Sequence, residues 1–371
     1  MIHKSLHIVS FDIPYPPIYG GIIDVFYKIK ALKELGVSIH LHTFIYGKEK
    51  QPELEKYCEK VHYYKRDDNF LSLFSRKPFI VKSRSNNELI KNLLAHKFPI
   101  LFEGLHTTAP LLKNDFIGQK TYIRTHNIEH LYFDGLYKSS TNIPNKLYYK
   151  SEAIKLKKYE KILNKVDGIF TISPEEHTYF SNTYKSTSFY IPVFHENKNI
   201  GELSTSKKQV LYHGDLRISD NIKASLFLIN TYKNTDIQLI TSSGTKNKKI
   251  ITATSTHDNC RFIHLKNQTE LTKLLHESHV NALPTFQKTG IKLKLINTLY
   301  KGKFIIANNE MVEDTGLENL CEIANNESEF LQKTNELFNQ KFTEKNRKER
   351  SEKLSDFNPK KSAKKLLEII F

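Results

Sequence analysis

Tryptophan is absent from this chain of 371 residues, and cysteine and methionine number only three and two. Cys58, Cys260 and Cys321 are odd in number, far apart and in no C-x-x-C pair. That argues against a disulfide framework and a zinc site, and for a reducing compartment. No segment approaches the roughly 18 apolar residues needed to span a bilayer. The start, Met1-Ile2-His3-Lys4-Ser5-Leu6-His7, lacks the long apolar run and small-residue cleavage site of a signal peptide. The expectation is a soluble, cytoplasmic protein. The dinucleotide fingerprint G-x-G-x-x-G is missing as well.

Positive charge is plentiful. Fifty-six Lys and Arg face 40 Asp and Glu, for a formal net charge of +16 and a pI near 9.4. Such a balance invites a nucleic-acid or membrane partner. Lysine and asparagine are spread along the whole chain, however, and Tyr and Phe do not interleave with a basic patch. No nucleic-acid motif is present, so no nucleic-acid partner is expected. The densest basic run, 146–165, carries Lys146, Lys150, Lys155, Lys157, Lys158, Lys161 and Lys165 against Glu152 and Glu160. It reads as an amphipathic helix with a solvated face; peripheral attachment to the anionic inner membrane face is the alternative. Asp67-Asp68 is the only paired-aspartate candidate for a metal and reads as a charged loop, so no metal site is expected.

The length allows two domains, and the pattern divides accordingly. Leu6–Phe11 reads as a buried strand, followed by the loop Asp12-Ile13-Pro14-Tyr15-Pro16-Pro17 and a helix opened by Gly20-Gly21. Gly36 caps that helix and Val37–His42 is the next strand, giving a βαβ unit. Paired glycines let a backbone approach a ligand closely, and a plain turn explains them as well. Further strands at Ile100–Glu103, Thr121–Arg124 and Gly168–Ile172 follow at α/β spacing. A polar run, His195 to Lys208, reads as a linker. The scheme then restarts with Val210–His213, Ile237–Ile240 and Cys260–Ile263, and Lys361–Ile370 reads as a closing helix. Expected domains are 1–195 and 209–355, with 356–371 returning to pack on the first.

Ligands of open parallel sheets sit beyond the carboxyl ends of the strands. Asp12, Glu103, His106, Arg124, His126, Asn127 and Ser173 all fall at such ends, and Ser173 is also a natural N-cap. His126, with Arg124, Asn127 and Glu129 close by, is the favoured direct participant. In the second half, Leu283-Pro284-Thr285-Phe286-Gln287-Lys288-Thr289-Gly290-Ile291-Lys292-Leu293-Lys294 links a buried strand to a helix that Gly302 stops. Lys292 and Lys294 lie at the helix start, where the macrodipole already disfavours cations. An anion there reverses that penalty, so phosphate is the expected ligand.

The order of these motifs resembles a retaining glycosyltransferase of the GT-B fold, family-4-like, of bacterial surface-polysaccharide clusters. The carriers are the Asp12–Pro17 loop with Gly20-Gly21, Arg124–Glu129, Asp167–Ser173, His213-Gly214-Asp215-Leu216, and Gly290–Lys294 followed by Gly302. The resemblance implies two Rossmann-like, doubly wound domains facing across a cleft. It implies transfer from a nucleotide-diphosphate sugar, held by the second domain, to a glycan or lipid-linked acceptor, without a cofactor and usually without a metal. By the same resemblance Gly20, Gly21, Gly214, Asp215, Thr289, Gly290, Lys292, Lys294 and Asn297 serve the donor. His126 matches the histidine bordering the transferred sugar. The chain departs from the family's two glutamates: the ribose position falls on Asn297 and the sugar position near Gln287 to Thr289. A sugar-nucleotide 2-epimerase shares the plan, but its acid/base carboxylates are not recognisable here.

Overall fold

The computed structural model describes residues 4–67, 69–140, 142–201, 206–287 and 292–371. They belong to two compact units, Met1–Glu196 with Asp356–Phe371, and Asn197–Lys288 with Lys292–Ser355. The first unit holds β1 (Ser5–Ser10), β2 (Ser38–Ile45), β3 (Lys60–Lys65), β4 (Ile100–Glu103), β5 (Thr121–Arg124), β6 (Gly168–Thr171) and β7 (Thr187–Tyr190). Their order in the sheet is β3-β2-β1-β4-β5-β6-β7, all parallel. The second unit holds β8 (Lys207–His213), β9 (Gln238–Ser243), β10 (Cys260–His264), β11 (Ser278–Leu283), β12 (Phe304–Ala307) and β13 (Glu322–Ile323). These are again parallel, in the order β10-β9-β8-β11-β12-β13.

Each sheet reverses its winding at its first strand, with β1 between β2 and β4 and β8 between β9 and β11. Such a switch point opens a crevice at the strands' carboxyl ends. Continuous apolar runs mark strands covered on both faces, and β4, β5 and β6 are buried throughout. The sequence reading missed β3, β7 and β13. β3 is largely half-exposed at one edge, β7 lies at the other, and β13 is only two residues long.

Three details correct or sharpen the sequence reading. Gly36 has φ 81°, the left-handed conformation a helix C-terminus favours in glycine. Gly302 does not act that way: its φ is −96°, and an added Cβ would sit 2.6 Å from Asn281 Nδ2. It marks close packing of helix on strand. The linker expected from His195 starts in the interior, since His195 and Asn197 are buried and Glu196 accepts from the Tyr27 hydroxyl at 3.1 Å. The Pro359–Ile370 helix buries Ala363, Leu366, Leu367 and Ile370 in the first unit's core, against the Gly20–Glu34 helix.

Histidines cluster near the amino ends of β1 to β3. His7 Nδ1 lies 3.0 Å from His42 Nε2, His42 Nδ1 lies 2.8 Å from the Tyr64 hydroxyl, and the His42 and His62 rings stack at 4.7 Å. Burial drives the His7 pKa down to about 4 and holds His42 well below its usual value. A folded-state value below the unfolded one means that acid favours the unfolded chain. The contribution of His7 is present above about pH 6.5 and is lost as pH falls toward 4. At pH 5 the loss should be about 2 kcal/mol. Urea unfolding from pH 7 to 4.5 should therefore show a flatter pH dependence for His7→Gln than for the parent chain. Parallel curves would refute this account.

Candidate active site

The first unit's crevice is built on sealed charges. Asp24 and Lys28 stand one turn apart on the Gly20–Glu34 helix, which packs on β2 and the Pro359–Ile370 helix and whose other buried residues are Ile22, Val25, Phe26, Ile29, Ala31 and Leu32. Lys28 Nζ lies 3.0 Å from Asp24 and 2.8 Å from Glu103 at the end of β4. Arg124, ending β5, donates to both Asp24 oxygens at 2.8 and 3.1 Å. It also donates to the carbonyls of Thr171, Ile191 and Pro192. All four side chains are 0% exposed. Burial pushes the Asp24 carboxyl up, but Arg124 and Lys28 outweigh it and hold the group well below the usual carboxylate range.

This network carries His126. Its Nε2 lies 3.0 Å from Glu103 Oε2, while the buried Nδ1 has no hydrogen-bond partner among the described residues. A carboxylate accepts only, so Nε2 bears the proton, and in the neutral ring Nδ1 offers a lone pair. Asp24, Glu103 and His126 also have the spacing of metal ligands. The Lys28 ammonium already bridges the two carboxylates, so a divalent ion would have to displace it. Arg124 and Glu103, expected on the acceptor side, are inaccessible and position other groups instead. The four charges pair with one another in the interior, although Glu103 Oε1 has no hydrogen-bond partner among the described residues.

The other predicted residues of this edge divide. Asp12 ties its own loop together, accepting from Ile13 N–H at 2.7 Å, Tyr19 at 2.8 Å and Lys48 at 3.2 Å. Ser173 caps the Pro174–Thr183 helix by accepting from Glu176 N–H at 3.2 Å. Gly20 and Gly21 begin their helix; a Cβ on Gly21 would lie 2.8 Å from Phe11 Cζ, so that glycine admits an aromatic ring. His106 and His126 flank Phe11 at 5.1 and 5.5 Å between ring centres. Burial, aided by Arg84, keeps His106 well below its usual pKa. Asn127 is partly exposed beside them, and its buried Oδ1 has no partner among the described residues.

Sequence reasoning missed Arg84 and named Glu129 only as a neighbour of His126. Arg84 is buried and donates to the carbonyls of Phe11 and Ile80 at 2.8 and 2.7 Å, with no carboxylate within 4.0 Å among the described residues. Burial, then Arg66, lowers its pKa to about 9. Ser83-Arg84-Ser85 follows a four-residue helix and carries no periodic signal. Glu129 is buried at the first turn of the Glu129–Ser139 helix, its pKa pushed up to about 8 by burial and by Glu176 and Glu160. Asp67, of the paired aspartates, accepts from Asn69 N–H and Ser72; Asp68 lies outside the described residues.

The second unit's crevice is organised by Lys294, two residues into the Leu293–Lys301 helix. Its Nζ contacts Asn221 Oδ1 at 2.8 Å and the Tyr212 hydroxyl at 3.1 Å, and lies 4.6 Å from the Tyr212 ring centre. These partners are neutral. Burial, then Lys292, lowers the Lys294 pKa to about 8, with Asp220 opposing. Gly214 leaves β8 beside it: a Cβ there would meet Asn221 at 2.9 Å and Lys294 Nζ at 3.1 Å. His213 Nε2 lies 3.0 Å from Thr298 Oγ1, and burial with Lys294 and Lys301 drives its pKa down to about 3. Lys292 caps the helix and donates to Gln287 O at 3.1 Å.

Asp215 instead grips Arg217, at 2.6 to 3.0 Å, and accepts from Thr245 at 3.2 Å. Asn297 accepts from Asn197 Nδ2 at 2.7 Å. Asp220, missed from sequence, accepts from the Thr285 hydroxyl at 2.8 Å and Phe286 N–H at 2.9 Å, tethering the segment after β11. Thr289 and Gly290 lie outside the described residues. A neutral cradle, a glycine turn and a helix start thus surround the Lys294 ammonium, which has no carboxylate within 4.0 Å among the described residues.

No family model matches the chain. It is 27% identical over 331 residues to a Klebsiella pneumoniae protein described as an uncharacterized 44.6 kDa protein in the cps region, covering 83% of this chain and 84% of that one. A glycosyltransferase from Rickettsia africae aligns over 100% of this chain and 98% of its own, with TM-score 0.68 and 16% identity. A mutant of S. aureus TarM, in complex with fondaparinux, alpha-GlcNAc-glycerol and UDP, covers 99% of both chains, with TM-score 0.64 and 12% identity. The chain therefore has the GT-B fold.

The charge network yields a stability test. Lys28→Met removes the ammonium shared by Asp24 and Glu103, leaving Asp24 to Arg124 and Glu103 to His126, and should cost about 3–5 kcal/mol. Denaturant unfolding of the pure variant measures it; a loss below about 1 kcal/mol would contradict the ionic description.

Proposed function

We propose that this chain is a glycosyltransferase that moves a sugar, with retention, from a nucleotide-diphosphate sugar to a glycan or lipid-linked acceptor in surface-polysaccharide synthesis. The observation that carries the proposal is Lys294. Its ammonium lies among neutral partners, against Gly214 and at the start of a helix, with no carboxylate within 4.0 Å among the described residues. A diphosphate supplies the missing negative charge, and preorganised cations and N–H groups favour it most as charge grows on the leaving group. The UDP captured in the TarM complex and the cps-region setting of the Klebsiella relative support the donor class and the pathway.

The donor is a substrate, no cofactor takes part, and Lys292 and Lys294 supply the charge that would otherwise call for a metal. Asn297, in the family's ribose position, already accepts from Asn197. It meets the nucleotide through its amide N–H groups, a weaker contact than a carboxylate makes with hydroxyls. The resemblance assigns His126 to the transferred sugar. Held by Glu103 through Nε2, the ring presents Nδ1 to a hydroxyl or to the developing oxocarbenium ion.

Lys292→Ala and Lys294→Ala should each weaken nucleoside-diphosphate binding by roughly 1.5–3 kcal/mol. Because the Lys294 pKa is about 8 in the free protein, affinity should also fall as pH rises through 8, and Lys294→Ala should remove that slope. Titration calorimetry at several pH values decides the matter; unchanged affinity in both variants would refute the site. His126→Ala should lower kcat by about 100-fold while nucleotide affinity stays within a few-fold. Normal turnover with donor and acceptor would remove His126 from the chemistry.

A further inference from the structure

The helix Ile143–Tyr159 presents an unusual outward face. Ile143 is 71% exposed, Leu147 65% and Ile154 52%, and their spacing of four and seven places them on one stripe. Lys150 falls within that stripe, and the exposed Lys157, Lys158 and Lys161 continue it. The inward face is apolar too, with Leu156 wholly buried and Ala153, Tyr148 and Tyr149 against the core. An ordinary surface helix keeps its apolar residues on the core side only.

The two acids that the sequence sets among these lysines do not reach the surface. Glu152 is 0% exposed; it accepts from Phe79 N–H at 2.6 Å and from Lys155 at 2.9 Å. Glu160, 1% exposed, accepts from Tyr179 and Tyr184 at 2.8 and 2.7 Å. Lys150, Lys157, Lys158 and Lys161 have no carboxylate within 4.0 Å among the described residues. Lys155 also donates to the Leu73 carbonyl, placing beside the helix a turn whose Phe74 is 77% exposed and precedes Arg76 and Lys77.

We propose that this face lies on an anionic lipid bilayer, with Ile143, Leu147 and Ile154 in the acyl boundary and the lysines among the head groups. Exposed aliphatic side chains with lysines among and beside them offer such a surface both an apolar and a cationic contact. A second copy of this chain would bring the same lysines face to face, and the net charge of +16 adds to that repulsion. Nucleic acid would satisfy the lysines, but Ile and Leu offer no base-stacking surface.

The test uses the purified full chain without donor, so its outcome is independent of the glycosyl-transfer reading. Vesicles of phosphatidylcholine with about one-third phosphatidylglycerol should sediment the protein, and pure phosphatidylcholine should not. Raising salt from about 0.1 to about 0.5 M should release it. The combined Ile143→Ser, Leu147→Ser, Ile154→Ser variant, and separately Lys150→Glu, Lys157→Glu, Lys158→Glu, should each reduce partitioning tenfold or more. All six positions are exposed, so circular dichroism should show an unchanged fold. No binding to anionic vesicles, or equal binding by both folded variants, overturns the proposal. So does a result in which the substitutions abolish only self-association or only binding to an RNA oligonucleotide.

Discussion

Four charges sealed from water hold the first unit's crevice in shape. Asp24 and Lys28 come from the first helix, Glu103 from β4 and Arg124 from β5, and Arg124 reaches on to the chain leaving β6 and β7. Burying such ions costs several kcal/mol each unless every lone pair and proton is met. Here nearly all are met, at 2.6 to 3.1 Å. The arrangement is intolerant of partial loss, which suits a scaffold whose task is to hold one imidazole. His126 is aimed by Glu103, which also pairs with the Lys28 ammonium.

The second unit solves the opposite problem. Its buried cation is deliberately left without an anion: Lys294 meets only an amide oxygen and a phenol, and its pKa falls to about 8. Desolvating an ammonium without a carboxylate weakens the free protein, and an anionic ligand reverses that penalty on binding. Gly214 is the steric condition for this, because a side chain would occupy the space of Asn221 and the ammonium. Asp220 keeps the neighbouring segment close by tethering Thr285 and Phe286 rather than by pairing with the lysine.

The helix Ile143–Tyr159 shows how tertiary packing can unmask a surface. Its acids turn inward to Phe79 N–H, Tyr179 and Tyr184, so the charge of the outer face is far more positive than the local sequence indicates. No helix among the described residues is long and apolar enough to cross a membrane.

The sequence by itself determined the parallel α/β plan, because apolar runs of four to six residues separated by helical periods admit few other arrangements. It also determined which residues stand at strand ends, the helix start with two lysines, and the Ser173 cap. Edge strands escaped it: β3 is largely half-exposed and β13 has two residues, so neither carries a strong apolar signal. Only the tertiary structure decided what the strand-end residues do. Arg124 and Asp24 are 100 positions apart, and Lys28 and Glu103 are 75. A charge reads as ligand-binding until the partner that neutralises it is found, and that partner is set by packing, not by neighbours in the chain. The same holds for Arg84 and Glu129, whose burial no periodicity announces, and for Gly302, which serves close packing and not a left-handed turn.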